Sequence, residues 1–311
     1  MPGIDVAVGV VWDKSGRILI ARRKDDAHQG GLWEFPGGKF EPSENDAQAL
    51  DRELFEELNI KTKSSRPLIK INYNYPDLKV RLYVREVHEY EGVPIGKEGQ
   101  PLLWVTLREL DSYKFPEANK PILKAIKLGR QYAIVGGNNV REVLQKLESV
   151  VSQGVDLVQI RVKGLSKSDT KLILEAVRLR CSELELSYLL NSQIPVKKPL
   201  HEGLHLTALD LMNLKKRPES SGVVAASCHN LQELKKAEQL ALDFAVLSPV
   251  MQTSSHPEAK PLGWQQFEEW VAQVNIPVFA LGGIKKQDFE KAAGSGAQGI
   301  SGISLFKYPP K

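Results

Sequence analysis

Gly37-Gly38-Lys39-Phe40-Glu41-Pro42-Ser43-Glu44, running on to Arg52-Glu53-Leu54-Phe55-Glu56-Glu57-Leu58-Asn59-Ile60, is the most informative stretch of the chain. Glu53, Glu56 and Glu57 are spaced i, i+3, i+4, which on a helix gathers the three side chains on one face. Like charges so placed destabilise a helix unless something neutralises them. Ala47, Leu50, Leu54 and Leu58 form the apolar stripe that would dock this helix on a sheet. The pattern predicts a helix from about Glu44 to Leu58, entered through Pro42-Ser43 and stopped at Asn59. Clustered carboxylates suit a hard cation, and Mg²⁺ is bound by a few carboxylates together with substrate phosphates and water. An acidic, solvated helix face is the plain alternative. The preceding glycines, Arg52 and the interval back to Glu44 weigh against it.

Outward from that helix, residues 5–12 read as a buried strand, Asp13–Gly16 as a turn and Arg17–Ala21 as the return strand. Strands at about 67–74 and 79–88 complete a mixed sheet, and a short helical segment at about 118–129 leads to Arg130. From Gln131 the pattern changes. Apolar strand-length runs at 131–136, 155–162, 186–191, 203–207, 222–227, 243–249, 276–281 and 298–305 alternate with helical patterns at 139–152, 167–184, 230–241, 263–273 and 285–293. The connections after the third and fourth runs carry no clear pattern. Such alternation predicts an α/β fold with a parallel sheet closed into a (β/α)₈ barrel, although about 180 residues is short beside the usual ~250. An open doubly wound sheet is the other arrangement it allows. The division expected is therefore 1–130 and 131–311.

Bulk properties exclude several classes. A formal charge of +4 over 311 residues is too small to imply a groove for polymeric nucleic acid. The longest apolar runs, such as 222–226, are strand-length, so no membrane span is expected. Met1-Pro2-Gly3-Ile4-Asp5 lacks a basic region followed by an apolar core, so no signal peptide is expected. Cys181 and Cys228 form neither a disulfide framework nor a metal-site spacing, which fits a reducing cytoplasm.

Residues 38–60 resemble the Nudix box: Gly, five residues, Glu, seven residues, Arg-Glu, an apolar residue, one residue, Glu-Glu, one residue, Gly, an apolar residue. Gly38, Glu44, Arg52, Glu53, Leu54, Glu56, Glu57 and Ile60 match, and Asn59 stands where Gly is usual. Asn is the next most tolerant residue of the left-handed conformation that a C-cap needs. The resemblance implies a Nudix α/β/α sandwich in which Glu53, Glu56, Glu57 and the Gly37 carbonyl ligate Mg²⁺, with Mn²⁺ as a substitute. It further implies that Arg52 orients the carboxylates and Glu44 supports them. Glu53 or Glu98 would take the proton of a water attacking a nucleoside polyphosphate, with Glu98 a fourth carboxylate near the metal.

The box leaves the substrate open, including another nucleotide or a thiamine-pathway pyrophosphate. Ala21-Arg22-Arg23, Asp26-Ala27-His28, Trp33-Glu34-Phe35-Pro36, Gly96-Lys97-Glu98-Gly99-Gln100-Pro101, Trp104 and Phe115-Pro116-Glu117-Ala118-Asn119 all resemble the MutT subgroup. That subgroup hydrolyses 8-oxo-dGTP to 8-oxo-dGMP and pyrophosphate, which cleanses the nucleotide pool. The resemblance implies that Asn119 reads the 8-oxoguanine edge, Arg23 pairs with a phosphate, Phe35 and His28 wall the nucleoside, and Lys39 joins the substrate contacts. Leu78 departs from the pattern, which carries Arg there, and leaves Arg81 as the alternative donor.

Residues 131–311 resemble the thiamine-phosphate synthase and TenI family of (β/α)₈ proteins. Gln159-Ile160-Arg161-Val162-Lys163 carries the likeness, with Gly203–Thr207, Ala226–His229, Leu247–Val250, Pro261–Gly263 and Leu281–Ile284 at further strand ends. The resemblance implies a phosphorylated thiazole or pyrimidine ligand near Gln159, Arg161 and Lys163. Gly282, Gly283, Gly302 and Ser304 end the last two strands, where such barrels bind phosphate, unless these glycines only make tight turns. His229 is the candidate proton shuttle, and Cys228 reads as packing. The synthase pattern has Asn-Asp after strand three, the Asp helping to hold Mg²⁺. This chain has Asn191-Ser192, with Asp210 as the second acid and Ser255-His256 in place of Thr-Lys. A functioning synthase and a phosphate-ligand sensor are both open on this reading.

Overall fold

The computed structural model describes residues 3–26, 29–195, 202–253 and 258–306. They divide into two compact units, Met1–Lys127 and Leu128–Lys311.

The first unit contains β1 (Ile4–Val11), β2 (Ile18–Arg22), β3 (Trp33–Glu34), α1 (Asp46–Leu58), β4 (Lys61–Asn74), β5 (Lys79–Glu91), β6 (Leu102–Val105) and α2 (Lys120–Ile126). One sheet has the order β1-β5-β4, parallel between β1 and β5 and antiparallel between β4 and β5. The other, β3-β2-β6, is antiparallel. The expected β1–β2 hairpin is corrected: apart from an isolated bridge between Trp12 and Ile18, the two strands join different sheets. Ala7, Val10 and Val11 are fully buried, so β1 is covered on both faces, the usual condition of a strand with a parallel neighbour.

Local chemistry sets the ends of α1. The Asn45 side chain accepts the Ala47 and Gln48 N–H groups while Gln48 Oε1 accepts the Asn45 N–H, a reciprocal capping box. The helix therefore starts after Glu44, which stays in the preceding turn. Asn59 ends it with φ +57°, as the left-handed cap requires. Ala49 rather than Ala47 joins Leu50, Leu54 and Leu58 in the buried stripe. Gly9 on β1 lets Leu50 and Leu54 press against the strand; an added Cβ would lie 3.0 Å from Leu50 Cδ1. The side of the helix that carries Arg52 and Glu53 meets the 37–44 loop.

In the second unit, β7 (Gln131–Val135), β8 (Leu157–Ile160), β9 (Ser187–Asn191), β10 (Gly203–Leu206), β11 (Val224–Cys228), β12 (Phe244–Leu247), β13 (Val278–Leu281) and β14 (Gly299–Gly302) form a closed parallel barrel. The seam closes where β14 pairs with β7, Ile300 opposite Gln131. The helices are α3 (Val140–Val151), α4 (Lys167–Glu183), α5 (Ala208–Asn213), α6 (Leu231–Gln239), α7 (Gly263–Val271) and α8 (Phe289–Gly294). The open-sheet alternative is thus excluded. Tyr132, Leu157, Leu189, Ala225, Phe244, Val246 and Phe279 fill the interior, so the barrel has a packed floor and any cavity must open above it, at the strand C-termini. Among the described residues no helix is long and apolar enough to cross a membrane.

Candidate functional site

Arg52 is the hub of the first unit's acidic face. Its Nε and Nη2 donate to the two oxygens of Glu44 at 2.8 and 2.9 Å. Nη1 donates to Glu53 at 3.0 Å and Glu56 at 3.1 Å, and Nη2 also reaches the Lys39 carbonyl at 2.9 Å. The five N–H groups of a guanidinium are thus all engaged. This one side chain ties α1 to the glycine loop and gathers carboxylates from both.

The other carboxylates repel one another. Burial, then the charges of Glu53, Glu34 and Glu98, push the Glu57 carboxyl up to about 7, although the Gly37 N–H opposes the shift. Burial also raises Glu53 and Glu34. Glu44 goes the other way, held down at about 2 by Arg52 and by the Glu41 N–H. Glu57 therefore feels the charges of Glu53, Glu34 and Glu98 at the edge of one loop. The loop is shaped for them: a Cβ on Gly38 would overlap the Glu53 carboxyl carbon and both its oxygens.

This donor set fits a divalent cation. Pro36 and Gly38 carbonyls accept from Gly9 and Ala7 of β1 at 2.8 Å, whereas the Gly37 carbonyl between them accepts no hydrogen bond among the described residues. Among those residues, no group of three or more His, Cys, Asp or Glu side chains already converges as an ion cage. Arg52 holds Glu53 and Glu56, with Glu56 turned to solvent, so closing a cage requires side-chain rotation from these pairings.

The remaining expected residues fall unevenly. Arg23, just past β2, is paired with Glu34 on the antiparallel neighbour β3. Glu98 pairs with Lys24 at 3.0 Å and is half exposed. The Lys39 side chain is exposed, and its contribution to the cluster is its backbone carbonyl. His28 lies outside the described residues. Phe35 is buried, 3% exposed, and stacked on Phe115 with centroids 5.3 Å apart. Arg81 pairs with Asp5, its partner in the β1–β5 ladder. Asn119 is 9% exposed, and its amide neither caps α2 nor finds another hydrogen-bond partner among the described residues.

Two residues went unrecognised in the sequence. Glu34 lay within the quoted Trp33–Pro36 run, but its proximity to Glu57 depends on sheet pairing. Tyr75 accepts the Ala118 N–H through its phenol oxygen and feels the charges of Arg23 and Glu117, which places it beside Asn119. The Tyr-Pro-Asp run was its only signal.

In the second unit a cavity of about 1100 Å³ opens at the strand C-termini. Gln159, Arg161, Lys163 and His229 line it, as do Gly282, Gly283 and Ser304, so the barrel residues expected from sequence meet at one place. Gly283 has φ +65°, and a Cβ there would overlap the Gln252 carbonyl. Ser255 and His256 lie outside the described residues.

A buried chain of hydrogen bonds runs beneath the cavity. Gln159 Nε2 donates to the Tyr132 hydroxyl at 3.3 Å, Tyr132 and His205 Nδ1 are 3.0 Å apart, and His205 Nε2 and Ser227 Oγ are 2.8 Å apart. Burial, then the charge of Arg161, pushes His205 down to about 3, so it is neutral. With the Gln159 amide donating, Tyr132 gives its proton to Nδ1, and Nε2–H is left to donate to Ser227. His229 is half exposed, with Nδ1 3.2 Å from Glu233. Cys228 is buried and its thiol is pushed up, as inert packing would be.

Comparison with known proteins assigns each unit a likeness. A NUDIX domain model matches residues 7–125, and a thiamine monophosphate synthase model matches residues 131–306. The 8-oxo-dGTP diphosphatase of Escherichia coli (strain K12) is 40% identical over 127 residues, which is 41% of this chain and 98% of that protein. The CTP pyrophosphohydrolase of the same organism is 34% identical over 125 residues, 40% of this chain and 92% of its own. A protein of Aquifex aeolicus (strain VF5) named "Putative thiamine-phosphate synthase 2" is 35% identical over 184 residues, 58% of this chain and 99% of its own.

Proposed function

Because the chain belongs both to the NUDIX hydrolases and to the thiamine monophosphate synthase family, we propose that its first unit hydrolyses 8-oxo-dGTP to 8-oxo-dGMP and pyrophosphate in a Mg²⁺-dependent reaction. The carrying observation is the crowding of Glu34, Glu53 and Glu98 around Glu57: burial, and then their charges, push its carboxyl up to about 7. Carboxylates held so close are costly unless they share a cation.

Glu53, Glu56, Glu57, Glu98 and the Gly37 carbonyl would hold Mg²⁺, or Mn²⁺ in its place, which would screen the polyphosphate charge and acidify the attacking water. Arg52 keeps the carboxylates in register. Glu53 or Glu98 takes a proton from water as its oxygen bonds to phosphorus and the bond to the bridging oxygen breaks, releasing pyrophosphate. Asn119 offers a donor and an acceptor to the base, and Arg23 turns from Glu34 to a phosphate. Removing the oxidised nucleotide before polymerisation would prevent mutation. For the barrel we propose a phosphorylated thiazole or pyrimidine ligand, supported by Arg161 and Lys163 on the cavity wall, with His229 as its proton carrier.

Pyrophosphate release from 8-oxo-dGTP, dGTP, CTP and a thiamine-pathway pyrophosphate, each with Mg²⁺ and with chelator, tests the first reading. The expected outcome is highest kcat/KM for 8-oxo-dGTP and none with chelator. Preference for CTP or the thiamine-pathway compound would reassign the substrate, and no release from any would end the hydrolase reading.

A further inference from the structure

The barrel's acid is already occupied by the protein. Asp210 is the residue left to hold a cation once Ser192 replaces the acid after strand three. Its Oδ2 accepts from Ser192 Oγ at 2.5 Å, Thr207 Oγ1 at 2.8 Å and Gln193 Nε2 at 2.9 Å. Three short hydrogen bonds converge on this one oxygen, so Oδ2 is held by protein donors, which compete with a cation for it. Ser192 is therefore a donor to the acid rather than a second ligand beside it. Asp210 is also absent from the cavity wall, whereas Gln193 and Thr207, which hold it, are part of that wall.

The wall itself carries the opposite charge. Among the described lining residues the cationic groups are Arg161, Lys163 and Lys285, and the one carboxylate is Glu258, which is exposed. The buried floor adds no charge, since His205 is neutral and bonded at both nitrogens.

We propose that this cavity binds the phosphate group of its ligand directly, through Arg161 and Lys163, without a divalent cation. Asp210 is a positioning residue that ties the ends of β9 and β10 to the start of α5. The inference rests on the reading of the barrel as a phosphate-binding cavity and adds to it the manner of binding. It also separates the two units: one polyphosphate site that uses a metal, one phosphate site that does not.

The test uses the full chain carrying Glu53→Gln and Glu57→Gln, so that metal binding in the first unit contributes no signal. Inorganic phosphate is titrated calorimetrically with Mg²⁺ and with chelator. The expected result is an affinity equal within about twofold in both, falling about tenfold or more in Arg161→Ala and less in Arg161→Lys, as loss of a charge-assisted pair requires. Circular dichroism checks that each variant is folded. Ser192→Asp removes a donor from Asp210 and adds a carboxylate, and should make phosphate binding about tenfold stronger with Mg²⁺ than with chelator. Affinity that rises with Mg²⁺ in the parent and disappears in Arg161→Ala would overturn the inference while leaving the phosphate reading intact. A Ser192→Asp protein indifferent to Mg²⁺ would overturn the role given to Asp210. No phosphate binding under either condition, or binding unaffected by Arg161→Ala, would sink the phosphate reading itself.

Discussion

Arg52 grips both oxygens of Glu44, Nε to Oε1 at 2.8 Å and Nη2 to Oε2 at 2.9 Å, across the turn that precedes α1. The fork leaves Nη1 for Glu53 and Glu56, so one planar group sets the spacing of three acids. Arg52→Ala should therefore lower kcat for pyrophosphate release by about 100-fold, the scale of a small misplacement of reacting groups. Arg52→Lys should recover little, because an ammonium lacks the bidentate fork. Steady-state rates at saturating Mg²⁺, with circular dichroism for folding, decide this. A lysine variant of near-normal kcat would mean that charge alone suffices.

Glu57 makes metal binding depend on pH. Without metal its carboxyl titrates near 7, whereas a Mg²⁺ ligand must be ionised. Apparent Mg²⁺ affinity should rise as pH passes upward through about 7, by up to about tenfold per unit below that value. Stability of the metal-free unit has the opposite slope. The folded state binds more protons than the unfolded one between 4.5 and about 7, so stability falls as pH rises through that window. Calorimetry in buffers of different ionisation enthalpy should find proton release on Mg²⁺ binding that fades above neutrality. PH-independent binding would show Glu57 to be outside the metal's reach.

Asn119 is expected to carry base discrimination. Its side chain, on a residue 9% exposed, offers both a donor and an acceptor and has no hydrogen-bond partner among the described residues. Asn119→Ala should cost about 2 kcal/mol or more in kcat/KM for 8-oxo-dGTP, as losing a two-bond contact would. The penalty for dGTP should be smaller. Equal loss on both nucleotides would move recognition elsewhere, with Tyr75 the next residue to test.

How much of this was legible in the sequence follows from the range of each interaction. The i, i+3, i+4 acids and the stop at Asn59 are local, and short segments encode them; the cap is Asn45 rather than the expected Pro42-Ser43 entry, and α1 starts two residues later than Glu44. The barrel strands are apolar runs whose burial is nearly complete, so periodicity alone places β7–β14 close to their observed ends. β3 is two residues long and carries no period. The first half of β4, residues 61–66, is polar and irregularly paired, with register shifts near Thr62, Ser64 and Pro67, so the apolar pattern marks the strand only from about 67. The choice of β5 rather than β2 as partner of β1 is a non-local decision. The same decision sets Asp5 opposite Arg81. Likewise, Ser192 was read as a missing acid, but only the fold turns it into a donor to Asp210.

His205 should make the barrel acid-sensitive. Its folded value is pushed down to about 3 from 6.5 by burial and by Arg161. Below about 6.5 the unfolded chain binds a proton that the folded barrel refuses. Stability should therefore fall with decreasing pH by up to about 1.4 kcal/mol per unit. Urea denaturation of the parent and of His205→Gln at about pH 7 and about pH 5 isolates this contribution from that of the carboxylates. Parallel pH profiles for the two proteins would contradict a neutral, buried His205.

Gly38→Ala tests whether the loop is shaped around Glu53. The added Cβ would overlap the whole Glu53 carboxylate, which is the movable partner, so the side chain must swing off the loop. Gly38 itself needs no left-handed backbone, and its carbonyl can still accept from Ala7 N–H at 2.8 Å. The cost should therefore fall on the site rather than on the fold. Thermal stability should drop little, while kcat for pyrophosphate release should fall at least as far as in Glu53→Gln, and the double variant should be no worse than either single one. That non-additivity distinguishes displacement of Glu53 from general disruption, which would add to it. If Gly38→Ala kept kcat near that of the parent, Glu53 could act from a position away from the glycine loop, and the carboxylate cluster would lose its central member.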